Sequence, residues 1–234
     1  MNDLDLDVIT RALPWLAQGL QYTVQLTCVA ALGGTVLGTL LALARLSPRP
    51  IVAGLAASYV NLMRSVPLLL VIFWFYFLVP LGLQWLTSAE NPPRVGAERS
   101  AYVTFILFEA AYFCEIVRAG IASVGAGQQA AARALGLDQA QVLVHVILPQ
   151  AFRNMLPVLL TQAIILFQDV SLVSLLNVTD FVGAAGKIAQ RDGRVVEMYL
   201  FVALVYLVLC SMTSALVRRW QRTHSIGQHP ETAR

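Results

Sequence analysis

The sequence has few charged residues. Asp, Glu, Lys and Arg make up 12% of its 234 residues, whereas soluble domains carry about 25%. No charged residue or histidine occurs between residues 11 and 45, between 64 and 90, or between 197 and 218, and 58% of the chain is hydrophobic. A water-soluble globule of this size cannot bury so much apolar surface. The composition therefore excludes a soluble protein and indicates one whose solvent is mostly lipid.

Cysteine and histidine are also scarce, with three residues of each. Cys28, Cys114 and Cys210 all fall in apolar stretches, and their spacing matches neither a metal motif nor a disulfide framework. The sequence therefore predicts no metal site, no bound cofactor and no catalytic residues. The scattered carboxylates and the lack of histidine within the apolar runs argue against a membrane-embedded enzyme. The net charge of +3 is too small and too dispersed to indicate nucleic-acid binding.

Five segments are long and apolar enough to cross a bilayer, which takes about 20 residues in a helix. Backbone groups in lipid must be paired within the segment, so these segments are predicted to be helices. The predicted spans cover residues 18–44, 55–85, 100–119, 152–176 and 197–217. Residues 120–150 are predicted to connect the third and fourth spans, within a single transmembrane domain over residues 1–234.

The basic residues predict an orientation. They favour cytoplasmic segments, and most of them are cytoplasmic if the N-terminus lies outside and the C-terminus inside. On the inner side are then Arg45, Arg49, Arg118, Arg133, Arg153, Arg218, Arg219, Arg222 and Arg234. The segment 120–150 is cytoplasmic in this orientation.

That cytoplasmic segment is predicted to contain two short helices. Residues 127–136 read GQQAAARALG, an alanine-rich helix former that ends at a glycine. Asp138 fits the N-cap of a second helix over residues 139–148, and Pro149 either ends that helix or opens the next span. Small side chains let a helix approach a partner closely. The residues alone equally allow a surface or re-entrant helix without a partner.

The same segment resembles the EAA loop of ABC-importer permeases. In that pattern Glu-Ala-Ala is followed after three residues by Gly, and after nine more by Ile-x-Leu-Pro. Here it falls on Ala130-Ala131-Ala132, Gly136 and Val146-Ile147-Leu148-Pro149, with matching spacing throughout. Ala130 replaces the Glu and Val146 replaces the Ile. The first change removes the carboxylate that a salt bridge to the ATPase would use, but leaves the docking helix itself.

The resemblance extends over nearly the whole chain. Segments similar to the second, third and fourth helices of polar-amino-acid permeases are residues 61–68 (NLMRSVPL), 109–120 (EAAYFCEIVRAG), 148–153 (LPQAFR) and 168–173 (QDVSLV). Within that family the chain most resembles the glutamate/aspartate import permeases. The resemblance implies an all-α, type I ABC-importer permease fold with about five transmembrane helices in the bacterial inner membrane.

The resemblance also implies the partners. A cytoplasmic ATPase binds ATP and Mg²⁺, a periplasmic binding protein delivers the amino acid, and a second permease subunit forms a heterodimer with this one. The permease itself performs no chemistry. The residues expected to couple it to the ATPase are Gln129, Ala130, Ala131, Ala132, Gly136, Leu148 and Pro149. A channel that works without ATP is the other competing interpretation, but a channel has no need of a docking helix.

Charged residues within spans are costly and face a partner or a water-filled path. Glu109 and Asp169 are therefore expected either to line the pathway or to pair with a neighbouring helix. The carboxylates of Glu109 and Asp169 would attract the ammonium group of an amino acid but repel its carboxylates. An acidic amino acid therefore also needs hydrogen-bond donors for its carboxylates. The donor types available are Arg64, Gln162, Gln168 and Ser171. The pathway candidates are Arg64, Glu109, Gln168, Asp169 and Ser171, and Glu115 is expected to pair with Arg118.

Overall fold

The computed structural model describes residues 7–224, with side chains described through residue 221, and all regular structure in that range is helical. The helices are α1 (Asp7–Arg45), α2 (Pro50–Ser65), α3 (Leu68–Thr87), α4 (Ala97–Ala122), α5 (Ala126–Ala134), α6 (Gln139–Leu176), α7 (Phe181–Asp192) and α8 (Val195–His224). Five of them, α1, α3, α4, α6 and α8, are long and apolar enough to cross a membrane. The prediction of five spans in an all-α fold is confirmed. Arg222 and Arg234 lie outside the described side chains.

The central helix is α4. Its most apolar window is 61% buried, whereas the corresponding window of each other span is at most 28% buried. It packs against α1, α2, α3 and α6. The outer spans expose many leucine and valine side chains, as helices that face lipid do.

α1 meets α4 through small residues. Gly34, Gly38 and Ala42 are buried along one stripe of α1. A Cβ atom at Gly38 would lie 2.8 Å from the carbonyl oxygen of Ala110 and 2.8 Å from the backbone nitrogen of Cys114, both in α4. In lipid, helices associate through such close packing because burying apolar side chains gives no further gain. Gly38 therefore sets the distance between these two helices.

Gly38→Val is expected to prevent folded protein from accumulating in the membrane, because the added side chain meets backbone and not a flexible side chain. Membrane abundance and size-exclusion profiles in detergent would measure this effect. Gly54→Val is the matched control, since a Cβ atom there meets nothing within 4 Å. Wild-type abundance of Gly38→Val would contradict the close contact between α1 and α4.

The second predicted span differs from the structure. Instead of one helix over residues 55–85, α2 ends at Ser65 and α3 begins at Leu68. Between them Val66 is extended, with φ −109° and ψ 135°, because a residue that precedes a proline disfavours the α region. The crossing helix is therefore α3 alone, and α2 is a separate helix that packs on α1 and α4.

The turn between α5 and α6 forms as its residues predict. Gly136 has a φ of +86°, a conformation that suits glycine, and the Leu137 N–H donates to the Ala132 carbonyl oxygen at 3.3 Å. Asp138 then accepts from the Gln141 N–H at 2.8 Å, while the Gln141 side chain accepts from the Asp138 N–H at 2.9 Å. This reciprocal capping box fixes the start of α6.

The second short helix predicted over residues 139–148 is not separate from the next span. α6 starts at Gln139 and continues through Pro149 to Leu176. A π-helical turn, Val142–Ile147, precedes Pro149, and the Gln150 side chain donates to the Val146 carbonyl oxygen at 2.9 Å. Local adjustments of this kind let a helix continue past a proline, which supplies no N–H of its own.

Two further helical segments lie where the sequence prediction has polar ends and loops. α1 begins at Asp7 and not near residue 18, and α7 lies in the connection between the last two spans. The residues buried between α1 and α7 are Val8, Ala12, Leu16, Phe181, Ala184, Ala185, Ile188 and Ala189. Asp180 caps α7, because its carboxylate accepts from the N–H groups of Val182 and Gly183.

Asp180 gives a pH-dependent prediction. Its side chain is fully buried, and burial raises its pKa from 3.8 to about 6, opposed by the hydrogen bonds of the Gly183 and Val182 N–H groups and by Lys187. Because the folded state binds the proton more tightly than the unfolded state, the contribution of Asp180 to stability is present below about pH 4 and is lost as the pH rises through about 6.

We therefore expect Asp180→Asn to raise the thermal unfolding midpoint of the detergent-solubilised protein above pH 6 and to change it little near pH 4. Asparagine keeps an oxygen for the cap but carries no charge. Asp180→Ala removes the cap and is expected to lower the midpoint at both pH values. A difference between wild type and Asp180→Asn that does not vary with pH would contradict the raised pKa.

Candidate functional site

A cavity of about 450 Å³ lies where the break between α2 and α3 meets α4 and α6. Cavities of 300–1,000 Å³ typically hold small ligands. The polar residues that line it are Arg64, Ser65, Glu109, Tyr112, Gln162 and Asp169, and the apolar ones are Val66, Pro67, Leu68, Phe108 and Ile165. The structure thus brings three of the predicted pathway residues, Arg64, Glu109 and Asp169, to one cavity.

Glu109 is fully buried in α4. The Gln162 side chain on α6 donates to its two carboxylate oxygens at 3.1 and 3.4 Å. Glu109 therefore both lines the cavity and pairs with a neighbouring helix, which the sequence analysis treated as alternatives. A buried carboxylate with one neutral donor keeps acceptor capacity, which an ammonium group fills well.

Arg64 lies between the cavity and a group of arginines around Glu115. Arg118 contacts the Glu115 carboxylate at 2.8 Å, and Arg45 also donates to it. Arg64 is 3.6 Å from that carboxylate, too far for a hydrogen bond, and its guanidinium carbon is 5.6 Å from the centre of the Tyr112 ring. The guanidinium of Arg64 therefore keeps donors for a ligand in the cavity.

The structure does not bring every predicted pathway residue to the cavity. Gln168 is exposed, and Ser171 lies in the 3₁₀ turn Val170–Leu176 at the end of α6. Neither lines the cavity. Tyr112 does, but an uncharged aromatic residue in an apolar helix gives no sequence signal for such a role. Among the side chains of residues 7–221 no three His, Cys, Asp or Glu groups come together to form a metal site.

The predicted coupling residues divide into two groups. Ala132 is buried and packs with Val124, Val142, Ile147 and Ala151, so it anchors α5 to the rest of the chain. The others are exposed or half-buried; they are Gln129, Ala130, Ala131, Gly136, Leu148 and Pro149. α5 thus presents small side chains on a surface that nothing else in the described chain covers.

Residues 34–223 match the family described as binding-protein-dependent transport system inner membrane component. The chain belongs to this family. Permeases of this kind are the non-catalytic, multi-pass inner-membrane part of an ABC transporter, and transport depends on a separate ATPase and binding protein. The prediction that the chain is a non-catalytic permease subunit of an ABC importer is confirmed.

The relatives of this permease include amino-acid permeases. It is 47% identical over 224 residues to the glutamate/aspartate import permease protein GltK of Escherichia coli O6:H1, covering 95% of this chain and 99% of GltK. It is 31% identical over 206 residues to the glutamate/aspartate import permease protein GltJ of Escherichia coli K12, covering 86% and 83% of the two chains.

The fold of the permease also has a solved counterpart. A chain from the crystal structure of an amino acid ABC transporter with histidines superposes with a TM-score of 0.86, covering 95% of this permease and all of that chain at 29% identity. This match confirms the ABC-importer permease fold that the EAA-like segment predicted.

Proposed function

We propose that this permease imports glutamate and aspartate. The observation that carries the proposal is its 47% identity to GltK over nearly the whole length of both chains. Its similarity to GltJ as well supports a heterodimer of two related permease subunits, in which this chain takes the place of GltK. ATP and Mg²⁺ bind to the partner ATPase, and a periplasmic binding protein delivers the substrate.

The cavity has groups that complement an amino-acid zwitterion. Arg64 supplies guanidinium donors to a carboxylate, and bidentate pairs of this kind are strong and specific. Glu109 and Asp169 supply acceptors to the substrate ammonium group. The cavity thus complements the carboxylate and the ammonium group of an amino-acid zwitterion, at the point where the break between α2 and α3 meets α4 and α6.

We place the N-terminus in the periplasm and α5 in the cytoplasm. In this orientation Arg118 near the end of α4, Arg133 in α5 and Arg153 in the first part of α6 lie on the cytoplasmic side, as the positive-inside rule favours. The small exposed side chains of α5 dock into a groove of the ATPase. Gly136 and the Asp138 capping box fix the angle between α5 and α6, so that movement of α5 is transmitted to the helix that carries Asp169.

Uptake into proteoliposomes tests this function. The permease is reconstituted with its second permease subunit, its ATPase and its binding protein, and uptake of labelled glutamate is followed with ATP inside. Excess aspartate is expected to compete, and excess glutamine or histidine is not. An ATPase variant that cannot hydrolyse ATP serves as the control. Uptake that glutamine abolishes and aspartate leaves intact would refute the proposed substrate.

A further inference from the structure

One face of α4 carries a carboxylate on either side of Tyr112. Glu109, Tyr112 and Glu115 follow one another at intervals of three residues, so each is a neighbour of the next on the helix surface. Arg64 lies along this face. Its guanidinium carbon is 5.6 Å from the centre of the Tyr112 ring, and its Nη1 is 3.6 Å from Oε1 of Glu115. Arg64 therefore stands between the cavity, which Glu109 lines, and Glu115, which does not line it.

Both carboxylate oxygens of Glu115 already have donors. Arg118 contacts Oε2 through Nε at 2.9 Å and through Nη2 at 2.8 Å, and Arg45 donates to Oε1. Arg64 is the third guanidinium at this carboxylate. A shift of about 0.7 Å would bring its Nη1 to hydrogen-bond distance from Oε1. Glu115 thus attracts Arg64 without holding it by a hydrogen bond.

Arg64 is the member of this group that can move. It is the next-to-last residue of α2, close to the extended Val66 at the helix break. Its side chain is 43% exposed, whereas that of Glu115 is 17% exposed and is fixed by two other arginines.

We propose that Glu115 competes with the carboxylate of a bound amino acid for Arg64. The guanidinium contacts the substrate when it turns towards the cavity, and it contacts Glu115 when the substrate leaves. Glu115 is thus a positioning residue that lowers the affinity of the cavity. Arg45 and Arg118 limit this effect, because they occupy both oxygens of Glu115. The proposal rests on the proposed function, in which Arg64 binds a substrate carboxylate.

The affinity of the cavity itself is measured by binding of labelled glutamate to the permease heterodimer with its ATPase in nanodiscs, without the binding protein. Glu115→Gln is expected to lower the Kd about fivefold, the effect of one partly exposed ion pair. In an Arg64→Gln background the same substitution should change the Kd by less than about twofold, because the group for which Glu115 competes is absent. Glu98→Gln is the matched control, since Glu98 is exposed at the start of α4 and does not line the cavity. A merely structural role of Glu115 predicts a loss of binding and not a gain.

Arg118→Gln tests the competition from the other side. It leaves the pair of Arg45 and Glu115 in place but frees Oε2 of Glu115 for Arg64, so the Kd should rise about fivefold. Adding Glu115→Gln should reverse this rise. Arg99→Gln is the control, because it removes the same charge from an exposed position at the start of α4.

The same titrations with glutamine separate this proposal from the proposed substrate, because glutamine also carries an α-carboxylate. If the wild type prefers glutamine, the proposed substrate is wrong, and tighter glutamine binding by Glu115→Gln still supports the competition. If Glu115→Gln leaves the Kd for glutamate unchanged, or lowers it equally without Arg64, the competition is refuted and the proposed function stands. Should Glu115→Gln fail to assemble, an unchanged Kd in Arg118→Gln alone refutes the competition.

Discussion

Gly136→Val is expected to reduce binding-protein-dependent uptake at least about tenfold while the complex continues to hydrolyse ATP. Gly136 has a φ of +86°, which costs a non-glycine residue about 1–2 kcal/mol and a β-branched residue more. The chain relieves this strain by changing the turn that joins α5 to α6. α5 then no longer lies at the angle that transmits its movement, so hydrolysis is uncoupled from transport.

A pair of alanine variants isolates the backbone effect. An added Cβ atom meets nothing within 4 Å at either Gly136 or Gly127, but only Gly136 has a positive φ. Gly136→Ala should therefore lower the ratio of uptake to ATP hydrolysis, and Gly127→Ala should leave it unchanged. Gly136→Asn should retain most uptake, because asparagine tolerates the left-handed conformation. Normal coupling in Gly136→Val would show that the turn has no role in transport.

Arg64→Gln is expected to reduce uptake of acidic amino acids about tenfold to a hundredfold. A hydrogen bond to a charged group contributes about 1.5–3 kcal/mol, which corresponds to that range of affinity. The variant also leaves Glu109 and Asp169 in the cavity without an opposing charge. The loss should appear as a raised KM for uptake. The KM of Arg64→Lys should lie between those of the wild type and Arg64→Gln, because lysine keeps the charge but not the planar guanidinium.

Arg49→Gln is the control for this series. Arg49 precedes α2, is exposed and does not line the cavity, so its loss changes the net charge equally without touching the pathway. Membrane abundance and basal ATP hydrolysis should match wild type in both variants. If Arg64→Gln transports glutamate with the wild-type KM, Arg64 does not bind the substrate.

Local signals in the sequence account for the features that could be predicted. The uncharged runs mark the spans because charge in hydrocarbon is costly. Gly136 and Asp138 mark the end of α5 and the start of α6, because left-handed backbone and helix capping each select a few residue types. These features depend on residues close in sequence, so no knowledge of the tertiary structure is needed.

The remaining features depend on contacts between distant residues. Arg45 is 70 positions from Glu115, and no local pattern pairs them, whereas Arg118 is three positions away. Pro67 was visible within the second apolar run, but hydrophobicity alone does not show that a helix breaks there. α7 carries the exposed side chains of Lys187 and Arg191. Because these charged residues alternate with the apolar ones that pack on α1, the sequence of α7 looks like a polar loop.

The orientation of α5 is tested most directly by labelling a single cysteine. Gln128 is exposed on α5, and Lys187 on α7 provides the reciprocal position. Gln128→Cys and Lys187→Cys are made in a chain whose three native cysteines are replaced, and each is treated with a membrane-impermeant maleimide in intact spheroplasts and in inside-out vesicles. Labelling of position 128 only in inside-out vesicles, and of position 187 only in spheroplasts, is the predicted result. Labelling of position 128 in intact spheroplasts would place α5 in the periplasm, away from any ATPase, and would contradict the coupling function.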